Sequence, residues 1–384
     1  MARKIGLVVT ARPSYARIKT ALQAIKRHAD LELQLIVTAS ALLDRYGSIV
    51  NYIEQDGFNI AARVFIVLEG ENLLTSAKST GLGIMELATI FDNLRPDVVV
   101  TVADRYETLA TAVAASYMNI PLAHVQGGEV TGSVDEKVRH AVSKLANLHF
   151  ASTEGAAERL IRMGEDPKTV FVTGCPSIDL ASEVLKDPGL NFDPFKKYGG
   201  VGAVSELSNG YVVVMQHPVT TQIADSRAQI TETLEAVEAL DLPALWFWPN
   251  VDAGSDDISR GIRIFREKGR GTKFHYFKNM EPEDFLRLVY NSKVIIGNSS
   301  MGIRECSFLG VPAVNVGDRQ GGRERGKNVI DVPYNAERIK EAINTQLHNG
   351  RFEDAHIYGD GKAGPRIADL LAKTQLNIAK QISY

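Results

Sequence analysis

The chain has 384 residues, and at roughly 100–200 residues per domain it is long enough for two or three domains, each with a sizeable core. Its 43 basic and 46 acidic side chains leave a formal net charge of −3, which disfavours a general binder of nucleic acid or anionic membranes. Apolar residues at 45% and charged residues at 23% exclude a disordered or collagen-like chain, and the two distant cysteines, Cys175 and Cys306, indicate neither a disulfide framework nor a zinc site.

The first apolar run is broken by Thr10 and Arg12 before it reaches signal-peptide length, and nothing elsewhere approaches the ~18 apolar residues of a membrane span. A soluble cytoplasmic protein with no nucleic-acid or membrane partner is expected. Seven short β-branched runs then predict buried parallel strands: 5–10, 33–38, 63–67, 97–102, 122–125, 149–152 and 170–173. Helical spacing between them, as in Ile18, Leu22 and Ile25 or Val134, Val138, Val142 and Leu145, completes a βαβα series. Residues 187–210 are rich in Pro, Gly, Asp and Asn, and 181–210 is assigned as a linker or mobile loop. A second series follows with strands at 211–215, 244–247, 273–277, 294–297 and 313–316. Gly364-Pro365 ahead of Ile367, Leu370, Leu371 and Leu376 predicts a last helix that returns to the first domain. The expected fold is therefore α/β, with two doubly wound Rossmann-like domains, 1–180 plus 366–384 and 211–365.

Ligands of doubly wound sheets bind beyond the carboxyl ends of the strands, so polar residues just after strands carry the functional reading. Arg12 and Arg17 flank a helix start after the first strand, either as an anion site or as solvated arginines on a turn. No dinucleotide or P-loop glycine motif is present. Asp104 follows the fourth strand, where it is either a site carboxylate or a helix N-cap. His124-Val-Gln126-Gly-Gly-Glu129 crowds polar groups around glycines that suit either close approach to a ligand or a flexible loop. Ser133 and Glu136 form a capping box, which places Asp135 in the first turn of a helix and four residues from Arg139, its natural ion-pair partner. In the second series His217 ends a strand, while Gly297-Asn-Ser299-Ser300-Met-Gly302-Ile-Arg-Glu305 reads as strand, turn and helix. That turn offers hydroxyls and N–H groups to a diphosphate, with Glu305 about one turn in for ribose and Arg319, Arg323 and Arg325 supplying charge.

Taken together, Thr10-Ala-Arg12, Asp104-Arg-Tyr-Glu107, Gly127 to Asp135, Arg139 to Leu145, Gln216-His-Pro218, Trp248 to Ser255 and Gly297 to Ser300 with Arg304-Glu305 resemble the hydrolysing UDP-N-acetylglucosamine 2-epimerases. The resemblance implies a two-domain glycosyltransferase-B fold with UDP in an interdomain cleft. It implies UDP contacts at Arg12, His217, Asn250, Ser299, Ser300, Glu305 and Arg319, and catalytic acids at Asp104 and Asp135. Relatives acting on UDP-N,N′-diacetylbacillosamine look much the same. Where the family has Glu, this chain has Gln126, whose amide cannot act as a general base, and Glu129 is the carboxylate that can compensate. The implied reaction removes the C2 proton as UDP leaves C1, then hydrates the 2-acetamidoglucal to N-acetylmannosamine. It needs no cofactor or metal, and a dimer or tetramer of identical chains is expected. A non-hydrolysing epimerase, a retaining glycosyltransferase and a non-catalytic nucleotide-sugar binder remain as alternatives on the same fold.

Overall fold

The computed structural model describes residues 2–70, 72–131, 134–249 and 252–383. The chain divides into two compact units, one formed by Met1–Val130, Val134–Ser182 and Tyr358–Tyr384, and the other largely by Glu183–Ile357. Among the described residues no helix is long and apolar enough to cross a membrane.

In the first unit β1 (Arg3–Val9), β2 (Leu31–Thr38), β3 (Ile60–Val64), β4 (Val98–Val102), β5 (Leu122–Val125), β6 (Leu148–Ala151) and β7 (Val170–Val172) form one parallel sheet. Their order is β3-β2-β1-β4-β5-β6-β7, so the winding reverses between β1 and β4. Side chains alternate across a strand, and both faces of this sheet are covered. Ile5, Leu7, Val9, Val98 and Val100 share one core with Leu22, Ile25, Ile367 and Leu371. Val8, Ile36 and Val99 share the opposite core with Leu87, Phe91, Ala112 and Val142. Each fully buried Val, Leu or Ile contributes roughly 1.5–3 kcal/mol, so the apolar runs alone account for a continuous two-sided core.

The helix Ala363–Lys373 packs on the helix Lys19–Arg27. It begins before Pro365, and Leu376 lies beyond its end. Gly364 is required there because a Cβ would sit 2.6 Å from the Thr20 carbonyl carbon. Buried Asp179 accepts from the N–H groups of Ala363 (2.8 Å) and Gly364 (2.6 Å) and from the Thr20 hydroxyl (3.0 Å). The return to this unit starts at Tyr358 rather than at 366, because Cys175 N–H donates to the Tyr358 carbonyl (2.8 Å) and Gly359 lies against Gly174.

In the second unit β8 (Val201–Gly202), β9 (Val212–Met215), β10 (Ala244–Phe247), β11 (Phe274–Phe277), β12 (Val294–Gly297), β13 (Ala313–Val316) and β14 (Val329–Val332) run in the order β14-β13-β12-β9-β10-β11-β8. All pairs are parallel except β8, which is antiparallel to β11. β8 and β14 were absent from the strands expected. Residues 181–210 are also not simply a linker. They hold the helix Pro194–Tyr198 and β8, and Lys197 (2.7 Å) and the Tyr198 hydroxyl (2.7 Å) both donate to Asp284.

Candidate active site

In the first unit the candidate residues lie beyond β1, β4 and β5, at the reversal of winding. Ser14 Oγ ties down the turn after β1, accepting from the N–H groups of Thr10 (3.1 Å) and Ala11 (2.8 Å). Arg12 is the first residue of the short helix Arg12–Ala16, and Arg17 closes it by donating its N–H to the Pro13 carbonyl. Burial draws the Arg12 guanidinium down to about 10, still a cation at neutral pH.

Beyond β4, Ala103 has φ +68, a left-handed conformation that is strained for a side-chain-bearing residue. Asp104 follows it and does not cap the next helix, Tyr106–Tyr117, whose N-cap is Arg105. Its carboxylate instead forms an ion pair with the guanidinium of Arg139, which is 1% exposed against 13% for Asp104. A second nitrogen of Arg139 donates to the Glu129 carbonyl (2.8 Å). Arg139 thus serves Asp104, a partner that its helical spacing from Asp135 did not suggest. Asp135 is the second residue of the helix Val134–Leu145, and its side chain lies outside the described residues, as do Ser133 and Asn250.

Beyond β5, Gln126 is buried with φ +68, and its amide donates to the Cys175 sulfur (3.0 Å). Both cysteines are free and buried. Glu129 is buried three residues on. The glycines between them make room for the protein itself. A Cβ on Gly127 would lie 2.8 Å from Ser143 Oγ, and one on Gly128 2.2 Å from the Ala156 carbonyl.

In the second unit the site residues lie beyond β9 and β12, again at the reversal of winding. Gly297 has φ +124, and a Cβ there would meet the Met215 carbonyl oxygen at 2.1 Å, so only glycine lets the two strand ends touch. Asn298, fully buried, then clasps the His217 backbone: Oδ1 accepts from its N–H (2.7 Å) and Nδ2 donates to its carbonyl (2.8 Å). The Asn298 carbonyl accepts from Arg319 (3.2 Å) and Gln320 (2.9 Å).

The expected helix at Ser300 is a 3-10 turn, Ser300–Gly302, which Ser299 caps through its hydroxyl to Met301 N–H (3.4 Å). The α-helix proper is Glu305–Leu309, so Glu305 is its first residue rather than one turn in. Glu305 is buried, and its Oε2 has no hydrogen-bond partner among the described residues. A buried carboxylate oxygen without a donor is costly, so this oxygen is open to an N–H or hydroxyl donor. Gly302 packs inward, 3.4 Å from the Ala313 Cβ as measured from an added Cβ. Arg325 pairs with Asp331 and donates to the Gln320 carbonyl, which commits it to the loop. Among the described residues no group of three His, Cys, Asp or Glu side chains is placed to hold a metal ion.

Asn298 and His124 escaped the sequence reading as site residues, although both stand where signals were present, one directly after a strand-ending glycine and the other near a strand's carboxyl end. Two doubly wound units, each with ionic and hydrogen-bonding groups gathered beyond its strand ends, define an α/β protein of the glycosyltransferase-B fold. The profile of the family described as UDP-N-acetylglucosamine 2-epimerase matches residues 23–372, and the chain belongs to that family. It is 33% identical over 377 residues to the hydrolysing UDP-N,N′-diacetylbacillosamine 2-epimerase of Legionella pneumophila, covering 98% of this chain and 97% of that protein. To the UDP-N-acetylglucosamine 2-epimerase of Neisseria meningitidis it is 31% identical over 360 residues, covering 94% and 91%. The crystal structure of UDP-GlcNAc 2-epimerase from Neisseria meningitidis bound to UDP-GlcNAc superposes with a TM-score of 0.79 at 19% identity, over 97% of this chain and 100% of that one.

Proposed function

We propose that the protein is a hydrolysing UDP-sugar 2-epimerase that converts UDP-N-acetylglucosamine into N-acetylmannosamine and UDP. The observation that carries the reading is the Asp104–Arg139 ion pair beside buried Glu129, beyond β4 and β5. A fixed carboxylate is what removal of a weakly acidic C2 proton requires, concerted with departure of UDP from C1. Water then adds across the glucal double bond, with oxygen to C1 and a proton to C2, and the resulting hemiacetal is the free sugar.

In this reading Asp104 and Asp135 transfer protons and activate water, with Glu129 as auxiliary. Gln126 cannot titrate. Arg12, Arg17, His217, Asn250, Ser299, Ser300 and Arg319 hold the nucleotide, and Glu305 holds the ribose. Gly302, in the same turn as Ser299 and Ser300, belongs with these nucleotide contacts. The similarity to the Legionella enzyme favours UDP-N,N′-diacetylbacillosamine as the second substrate to examine. Incubation with each nucleotide sugar and identification of the products tests the proposal. Free N-acetylmannosamine with UDP is expected, and Asp104→Asn is expected to lower turnover by about 10²–10⁴-fold while UDP affinity holds. Accumulation of the epimeric nucleotide sugar instead of free sugar would replace hydrolysis by re-addition of UDP.

A further inference from the structure

His124 is a fully buried residue on β5, paired in register with Thr101 of β4 and His149 of β6. Its Nε2 lies 2.8 Å from the carbonyl oxygen of Ala103, and its Nδ1 lies 3.0 Å from Ser143 Oγ. A carbonyl only accepts, so Nε2 carries the ring proton, and Nδ1 then accepts from the Ser143 hydroxyl. Burial draws the ring down to about 4, which leaves it neutral with that one proton throughout the physiological range.

The carbonyl that His124 holds belongs to the left-handed residue immediately before Asp104. Strain of this kind persists only where surrounding contacts over-determine it. Here the contacts form a closed circuit. Ala103 N–H donates to the Val125 carbonyl (3.0 Å), and its own carbonyl accepts from His124. Ser143, which orients the ring, lies on the helix Val134–Leu145, and that helix also supplies the Arg139 that faces Asp104. Gly127 keeps the circuit open, since a Cβ there would press on both Ser143 Oγ (2.8 Å) and His124 Nδ1 (2.9 Å).

We propose that His124 is a positioning residue for the reaction: its Nε2–H fixes the Ala103 peptide so that Asp104 meets the substrate, and Ser143 holds the ring in the orientation that does this. The proposal rests on the reading of Asp104 as the proton-transfer carboxylate. His124→Leu removes the donor, and it should lower kcat for UDP-N-acetylglucosamine by about 10–100-fold, the scale of a displacement near 1 Å, with KM and calorimetric UDP affinity within twofold of wild type. His124→Gln places an amide N–H near the Nε2 position and should recover most of the rate. Ser143→Ala should lose less than the Leu variant. Nitrogen-15 spectra of the wild-type ring should show protonated Nε2 and unprotonated Nδ1 from pH 6 to 8, a readout that needs neither turnover nor a variant that folds.

Wild-type kcat in His124→Leu, a Gln variant as slow as the Leu variant, or a ring protonated on Nδ1 would each overturn the proposal. If Asp104→Asn is slow while His124→Leu is fast, His124 alone loses its role. If Asp104→Asn is as fast as wild type, or no UDP-sugar is turned over, the reading of the carboxylate fails first and the catalytic purpose of the bond falls with it.

Discussion

Replacing Asn298 should disturb both the second unit's stability and its hold on UDP. The side chain is fully buried and makes two short bonds, 2.7 and 2.8 Å, to the N–H and carbonyl of His217, itself buried. Asn298→Ala leaves both backbone groups without these partners. An unsatisfied buried polar group costs about 1–3 kcal/mol, so the pair sums to roughly 2–6 kcal/mol, the lower end applying where water enters the vacated space. Asn298→Asp separates the two contributions, because it keeps the acceptor for His217 N–H and turns an oxygen toward the His217 carbonyl. Its loss should arise from that repulsion and from a buried charge. Because His217 is proposed to face the phosphates, a backbone freed in this way should weaken UDP binding by about 5–150-fold, equivalent to about 1–3 kcal/mol. Urea unfolding and calorimetric titration with UDP measure the two effects. If Asn298→Ala unfolds within about 0.5 kcal/mol of wild type and binds UDP equally well, the clasp does not position His217.

Gly297→Ala forces a Cβ to within 2.1 Å of the Met215 carbonyl oxygen at a φ of +124, and thermal unfolding should show a loss of more than about 2 kcal/mol. The neutral His124 ring makes the first unit acid-sensitive. Its pKa of about 4 lies below the unfolded value of 6.5, so its contribution is fully present above pH 6.5 and is lost as pH falls towards 4, by about 3 kcal/mol in all. Urea midpoints of wild type and His124→Gln between pH 8 and 4.5 should therefore converge on acidification, and a constant difference would contradict the assignment. Gln126→Glu should raise the steady-state rate if the amide has disabled a base, and no rise in an already fast enzyme would direct attention to Glu129. Glu305→Ala should weaken UDP binding by roughly 1–3 kcal/mol in calorimetry, whereas unchanged affinity would remove it from the ribose.

The strands were legible because a parallel strand covered on both faces is a short, largely apolar run without polar alternation. Leu122–Val125, Ala244–Phe247 and Val294–Gly297 begin and end where the sequence reading placed them. β8 has only two residues, both exposed, and β14 carries an aspartate in a half-buried edge, so neither has that signature. Site positions were legible for a related reason, since chain topology puts the residue after a strand at the ligand-facing edge. Partners were less so. Arg139 lies four residues from Asp135 in sequence but meets Asp104, a pairing that exists only once β4 and the helix Val134–Leu145 are brought together. His124 and Asn298 act on backbone atoms of other residues, and a hydrogen bond to a peptide group leaves no trace in the identity of its partner.

The clamp of Asp179 on Ala363 and Gly364 bears on the order in which the protein can assemble. Residues 183–357, most of the second unit, are synthesised before the helix Ala363–Lys373 that completes the first. Until that helix arrives, Asp179 lacks two of its N–H donors, and Ile25 and Leu22 lack the cover of Ile367 and Leu371. Domains fold as units during synthesis. The second unit is therefore free to fold on the ribosome, while the first, although begun earlier, closes its core last. A chain truncated before Ala363 should retain the second sheet and expose an apolar groove along the helix Lys19–Arg27, the kind of surface that chaperones and proteases recognise.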